Sequence, residues 1–321
     1  MTDSDEFDEI VNETEYRRLT VGVGMHGERL DRALVDGVVE FSRNYLQQLI
    51  ESGQVVVNGR PVRKGSSRVK AGDEVMIELR PTPQSQAFKP EHIALNVVFA
   101  DDHILVINKP AGLVVHPAPG NWSGTLLNGL LAYDQEMTAV PRAGIVHRLD
   151  KDTSGLMVVA RSRVAMDRLV QAIAARDVSR QYVAIAHRPW AGPTNQTVEA
   201  SIGRDPRNRL RMAVVDLERH SGKLAKTDMI LLSNSPAGCL VRCILHTGRT
   251  HQIRVHMASI GHPLVGDPVY GGSKHSVMPR QALHAIRLAF DHPVTQEKMV
   301  FNALPPSDFS ALMSEWGLRY N

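Results

Sequence analysis

Apolar residues along this chain follow two rhythms, and the change between them divides it. In the first eighty residues the rhythm is helical and then alternating. Leu30, Ala33 and Leu34 share one side of "GERLDRALVD" (residues 27–36) and predict a short helix. "SRNYLQQLIESG" (residues 42–53) repeats the spacing with Leu46, Leu49 and Ile50, takes Ser42 as its N-cap and stops at Gly53. In "QVVVNGRPV", Asn58-Gly59 between apolar runs predicts a tight hairpin. Val75, Ile77 and Leu79 then alternate with polar positions in "GDEVMIEL", the pattern of a half-buried strand.

Past residue 80 the pattern breaks into "RPTPQSQAFKP", whose three prolines among polar residues predict an extended linker over 81–90. Beyond it, short apolar runs ("ILVINKP", "LMVVA", "QYVAIA", "CLVRCIL", "MVFNAL") alternate with two helical stretches. One is "RVAMDRLVQAIAAR", with Met166, Leu169, Val170 and Ile173 on one face; the other is "RTHQIRVHMASIG", ending at a glycine. Many strands with few intervening helices predict an α+β fold, with a mixed, mainly antiparallel sheet in residues 91–321. A smaller α/β module would occupy 17–80.

Composition adds little until charge is located. Hydrophobic residues make up 43% of 321, enough for a proper core, and the formal net charge is only +3. Seven acids and no base lie in residues 1–16, so this stretch is expected to be an unstructured acidic tail. Leaving those seven out raises the remainder from +3 to about +10, an excess suited to a polyanion. Arg29, Arg32, Arg43, Arg60, Arg63, Lys64, Arg68 and Lys70 decorate the small module, several of them around one hairpin. Four more arginines, Arg204, Arg207, Arg209 and Arg211, fall in "GRDPRNRLRMAV" and are expected on a basic loop or hairpin that touches RNA. Two cysteines, Cys239 and Cys243, are too few for a disulfide framework and read as buried hydrophobes of a reducing compartment. No signal-peptide pattern and no apolar run of membrane-spanning length is present, so a cytoplasmic protein without a membrane partner is expected.

The chemistry gathers in "IVHRLDKDTSGLMVVAR" (residues 145–161), where His147, Arg148, Asp150 and Asp152 crowd a turn ahead of an unbroken apolar run. Loops held by rigid strands are where chemistry is kept. Two acids two residues apart on one turn do not match a glycosidase pair. His251 and His256 lie five apart, unlike the spacing of a zinc helix, and no nucleophile elbow or phosphate loop occurs. A single carboxylate, Asp150, remains, able to serve as nucleophile or base if an arginine keeps it ionised. Arg249 and Arg254 in "HTGRTHQIRVH" are candidates for that arginine. Tyr182, at the head of an apolar run, fits a core position and a base-stacking platform equally well.

Two resemblances sharpen these readings. Arg29-Leu30-Asp31, Ser42-Arg43 and the Gly53–Gly59 hairpin resemble the S4-like RNA-binding module. "HRLDKDTSGL", "NKPAGLVVHP", "SRQYVA" and "TGRTHQIRVHMASIGHPLVGDPVYGG" resemble, in order, motifs of the RluA-type pseudouridine synthases. The second resemblance implies that Asp150 is the catalytic aspartate, that Tyr182 stacks on a flipped uracil and that Arg254 pairs with the aspartate. It also implies that Arg148 enters the RNA and that Ile253 and Leu156 line an apolar pocket. Arg180 stands where many relatives carry lysine, a mild departure. The implied reaction is isomerisation of uridine to pseudouridine, with no cofactor and no metal. The implied partner is large-subunit ribosomal RNA or the assembling subunit, and a monomer is the default expectation. Transfer RNA as target, or a non-catalytic RNA-binding assembly factor, stands as the alternative.

Overall fold

The computed structural model describes residues 15–38, 43–79, 87–118 and 120–320, which form two compact units divided between Gln86 and Ala87. Most of the expected acidic tail, the Ser42 cap and linker positions 81–86 lie outside the described residues.

In the first unit, strand β1 (Glu15–Thr20), unforeseen from the pattern, opens the module by pairing with β4 (Glu74–Leu79). Between them run helices α1 (Leu30–Gly37) and α2 (Arg43–Ser52) and strands β2 (Val55–Val57) and β3 (Arg60–Pro61). The sheet order is β1-β4-β2-β3, antiparallel throughout. Asn58 and Gly59 both take positive φ (48° and 77°), which matches the right-handed twist of the hairpin they join. Gly53 ends α2 in the left-handed region, with the Gln54 amide donating to the Leu49 carbonyl. Leu30, Leu34, Leu46, Ile50, Val55 and Ile77 close the core, so the helical and alternating patterns converge on one interior.

The second unit is built on a nine-stranded sheet. Strands β5 (Val97–Ala100), β6 (Ile104–Lys109), β7 (Ser154–Ala160), β8 (Ser179–His187) and β9 (Asn195–Glu199) come first in the chain. Then follow β13 (Lys226–Asn234), β14 (Gly238–Leu245), β15 (Leu283–Asp291) and β16 (Lys298–Asn302). Their order is β5-β6-β7-β15-β8-β14-β13-β9, with β16 also paired to β15. Among the described residues every pairing is antiparallel except the β7–β15 contact, at Ser154–His284 and Gly155–Ala285. The sheet is therefore mixed and mainly antiparallel, as the run of short strands predicts.

Both faces of this sheet are covered, which is why β7 is buried along its whole length. On one face Met157 and Val159 meet Tyr182, Cys243 and two helices, α3 (Leu126–Tyr133) and α5 (Gln252–Ser259). On the other, α4 (Arg163–Ala175) packs through Met166 and Leu169 against Leu156 and Val158, while α6 (Ser307–Glu315) brings Phe309 and Leu312. Val170, expected on the buried face of α4, is exposed, the stripe being narrower than the spacing suggested. A three-stranded sheet of β10 (Ile202–Arg204), β11 (Met212–Val214) and β12 (Gly222–Lys223) packs beside α5, with Ile202 and Met212 against Val255 and Tyr270. The second unit begins a few residues inside the expected linker, because Asn128 donates to the carbonyls of Ala87 and Lys89. Burial pushes the Cys239 thiol up to about 12 and raises Cys243 as well, so both behave as inert packing groups. No helix among the described residues is long and apolar enough to cross a membrane.

Candidate active site

The turn that carries Asp150 is anchored at four places. On entry, residues 142–144 all take positive φ, and a Cβ on Gly144 would fall 1.7 Å from the Ala160 carbonyl oxygen. Midway, His147 Nε2 accepts the Val158 amide at 3.1 Å. On exit, Arg280 donates to the Asp152 carbonyl (2.9 Å) while Asp308 grips it through two bonds of 2.7 and 2.9 Å. From below, the buried Lys109 ammonium donates to the carbonyls of Pro110 (2.7 Å), Leu113 (2.9 Å) and Lys151 (3.0 Å). Burial pulls the Lys109 pKa down to about 7, opposed by Asp152 and Asp150. Three acceptors for three protons favour the charged form.

Arg254, on the first turn of α5, reaches Asp150 Oδ2 through Nη1 at 3.1 Å. Its other edge is held by Asp267, fully buried, in a bidentate pair of 2.7 and 2.9 Å. Burial alone would lower the Arg254 pKa, but the two carboxylates outweigh it and the net shift is upward. The guanidinium also lies 5.0 Å over the Tyr270 ring. One cation thus serves two anions, with the buried one fixing its plane and the other facing the cleft. His251 stands on the far side, its Nε2 3.9 Å from Asp150 Oδ2 and its Nδ1 2.8 Å from the Tyr270 hydroxyl. Burial lowers the His251 pKa despite the nearby Asp150, so the ring is neutral at pH 7.

These groups open onto a cleft of about 560 Å³. Tyr182 and Ile253, both largely buried, line it with Leu283. Arg142, Arg148, Arg176, Arg180 and Arg249 also line it, giving an entrance charged for a phosphate backbone. Arg148 is exposed at this rim, two residues from Asp150. Tyr182 is part of the core and also forms cleft wall, and burial raises its phenol pKa. Leu156 does not line the cleft. Alternation along β7 turns it to the opposite face, where it packs in the core that includes Met166 and Phe290. The resemblance marked it through its place in the motif, but strand period decides which way it points.

Each unit carries its own set of basic residues. In the first, Arg60, Arg63 and Lys64 are exposed around the hairpin. Arg43 donates to Asp31 Oδ2 (3.0 Å), and Arg29 pairs with the same carboxylate at 2.9 Å through both Nε and Nη2. The Arg29 hydrogen bond, more than any other contact, brings the Asp31 pKa down to about 2. In the second unit, Arg204, Arg207 and Arg209 are exposed on the β10–β11 hairpin, whereas Arg211 is tied to Asp205 at 2.7 Å. Sequence reasoning missed Asp267, Tyr270, His251 and Lys109. All four lie inside the motifs of the resemblance, Lys109 in "NKPAGLVVHP" and the others in "TGRTHQIRVHMASIGHPLVGDPVYGG", but nothing local shows which groups they meet across the fold.

Residues 103–259 match the family model described as RNA pseudouridylate synthase, and residues 28–75 match the S4 domain. "Ribosomal large subunit pseudouridine synthase D" of Neisseria meningitidis serogroup A is 47% identical over 315 residues, 94% of this chain and 83% of that protein. The protein of the same name from Escherichia coli O6:H1 is 43% identical over 309 residues, covering 92% of each chain. A solved structure titled "Human RNA Pseudouridylate Synthase Domain Containing 1" superposes with a TM-score of 0.54 at 26% identity, over 67% of this chain and 85% of that one. These matches define the class, an RNA-modifying isomerase. The chain belongs to the RNA pseudouridylate synthase family, with an S4 domain ahead of the synthase domain.

Proposed function

We propose that the uridines this enzyme converts to pseudouridine lie in large-subunit ribosomal RNA, and that Asp150 is its catalytic carboxylate. The observation that carries the assignment is the Asp267–Arg254–Asp150 chain. A fully buried anion orients a cation, and the cation presents Asp150 to the cleft as a carboxylate. The names and coverage of the relatives support the RNA target.

In the reaction the C1′–N1 bond breaks, the detached uracil turns, and a C1′–C5 bond forms. C5 gives up its proton and N1 gains one, so nothing is oxidised and no group leaves the molecule. Asp150 serves either by attacking C1′ or by removing a proton from C2′. The target base must first leave its stack, at about a few kcal/mol. Arg148 entering the RNA and Tyr182 stacking on the uracil offset that, with Ile253 as apolar wall. Water is kept from the detached sugar by the buried strands around the turn. Arg43, Arg60, Arg63 and Lys64 in one unit, and Arg204, Arg207 and Arg209 in the other, grip phosphates. The same reading places the protein in the cytoplasm, acting as a monomer.

The test is nucleoside chromatography of a large-subunit rRNA transcript after incubation with the protein and, in parallel, with Asp150→Asn. Retention time is the readout, because the two nucleosides have equal mass. Pseudouridine with the unaltered protein alone supports target and residue together. Product only on transfer RNA overturns the target, and product with Asp150→Asn overturns the residue.

A further inference from the structure

His251 is held in an unusual way for a residue that the chemistry above does not use. It adopts left-handed backbone angles (φ 57°, ψ 22°) immediately before α5, a conformation that few residues other than glycine take, asparagine, aspartate and histidine most often, and that clusters at functional sites. Its ring is then fixed by a chain of hydrogen bonds. The Met212 amide donates to the Tyr270 hydroxyl oxygen at 3.1 Å. That oxygen is thereby occupied as an acceptor, and its own proton points to His251 Nδ1, 2.8 Å away. Nδ1 accepts, so the neutral ring carries its proton on Nε2. Nε2–H faces Asp150 Oδ2 across 3.9 Å, too far for a direct hydrogen bond.

That gap has the dimensions of one hydroxyl oxygen set off the line between the two atoms. At about 2.7–2.9 Å from each, it accepts from Nε2–H and donates to the carboxylate. Arg254 already occupies Oδ2 on its other side, and no described residue donates to Oδ1, which is left to face the reacting sugar carbon. A ribose whose C1′ lies over Oδ1 carries one hydroxyl on the adjacent carbon, the 2′-hydroxyl. We propose that His251 Nε2 binds the 2′-hydroxyl of the flipped uridine, making this histidine the group that selects ribose over deoxyribose. The 2′-hydroxyl is the one feature by which a site distinguishes RNA from DNA at a single nucleotide. The inference rests on the proposed reaction at Asp150.

The test uses two synthetic RNA strands that differ only at the target nucleotide, one bearing uridine and the other 2′-deoxyuridine. His251→Asn is the informative variant. Asparagine tolerates the left-handed backbone and its carbonyl can still accept from Tyr270, so only the Nε2 donor is removed. The uridine strand is expected to lose about tenfold in kcat/KM, the worth of one hydrogen bond. The deoxyuridine strand, added as a competitor, is expected to keep its inhibition constant. His251→Gln, whose amide nitrogen reaches the place of Nε2, is expected to recover part of the loss. Equal weakening of both strands would mean that His251 serves the fold or Asp150 itself, and an unchanged uridine rate would mean that it touches nothing; either overturns the proposal. Absence of pseudouridine with the unaltered protein would remove the reaction, and this inference with it.

Discussion

Asp267 shows how a residue sealed in the interior can govern one that faces the cleft. It is fully buried and supplies both hydrogen bonds that set the plane of Arg254. Asp267→Asn is expected to lower kcat at saturating RNA by about 100-fold and stability by about 3–5 kcal/mol, since it leaves a buried cation underpaired. Single-turnover assays and urea unfolding read the two separately. His147 provides a pH signature of the same turn. Enclosure brings its pKa down to about 3, with Arg180 adding to the effect. The folded pKa is depressed below the ordinary value near 6.5, so the stabilisation is complete above pH 6.5 and is lost as pH falls towards 3. About 2 kcal/mol is gone by pH 5. His147→Gln can still accept the Val158 amide and is expected to flatten the fall of Tm between pH 7 and 5. Asp150 was legible from sequence because turn chemistry, an arginine and buried flanks all sit within one short stretch. Asp267, His251 and Tyr270 were not, because their meaning lies in contacts made across the fold.

At the scale of elements, the hairpin from Asn58 to Gly59 and the alternation of β4 could be read directly, since both depend on neighbours in sequence. The direction in which Leu156 points could not, because a strand buried on both faces has no polar side to reveal its register. At Gly155 that register is closed by the backbone of the neighbouring strand. Its φ is 119°, and a Cβ there would lie 2.3 Å from the Ala285 carbonyl oxygen. Gly155→Ala is expected to destabilise by at least about 2 kcal/mol, visible in thermal unfolding, from backbone strain and overpacking together. The β10–β11 hairpin behaves differently, with its arginines free of the core. Alanine at Arg207 and Arg209 together is expected to reduce the slope of log affinity against log salt by about 1–2 while leaving Tm unchanged. Arg211→Ala, by contrast, is expected to lower stability by about 1 kcal/mol through loss of the Asp205 pair.

Across the whole molecule, the division into a small basic unit and a larger sheet was visible in the shift of pattern near residue 80, and the overall class in the run of short strands. Strand order was not, because β15 lies far along the chain from the strand it joins at the middle of the sheet. That junction has a consequence for the order in which the protein is made. The turn bearing Asp150 is made before the C-terminal groups that hold it. Its fastenings come later: Arg254 first, then Asp267, Arg280 and the His284 imidazole 2.9 Å from Ser154 Oγ. N-terminal segments collapse as they appear, but pairings between distant segments must wait for both partners. The nascent chain is therefore a silent precursor in which the Asp150 turn stands unfastened, and it becomes an enzyme only once the segment through His284 has been made.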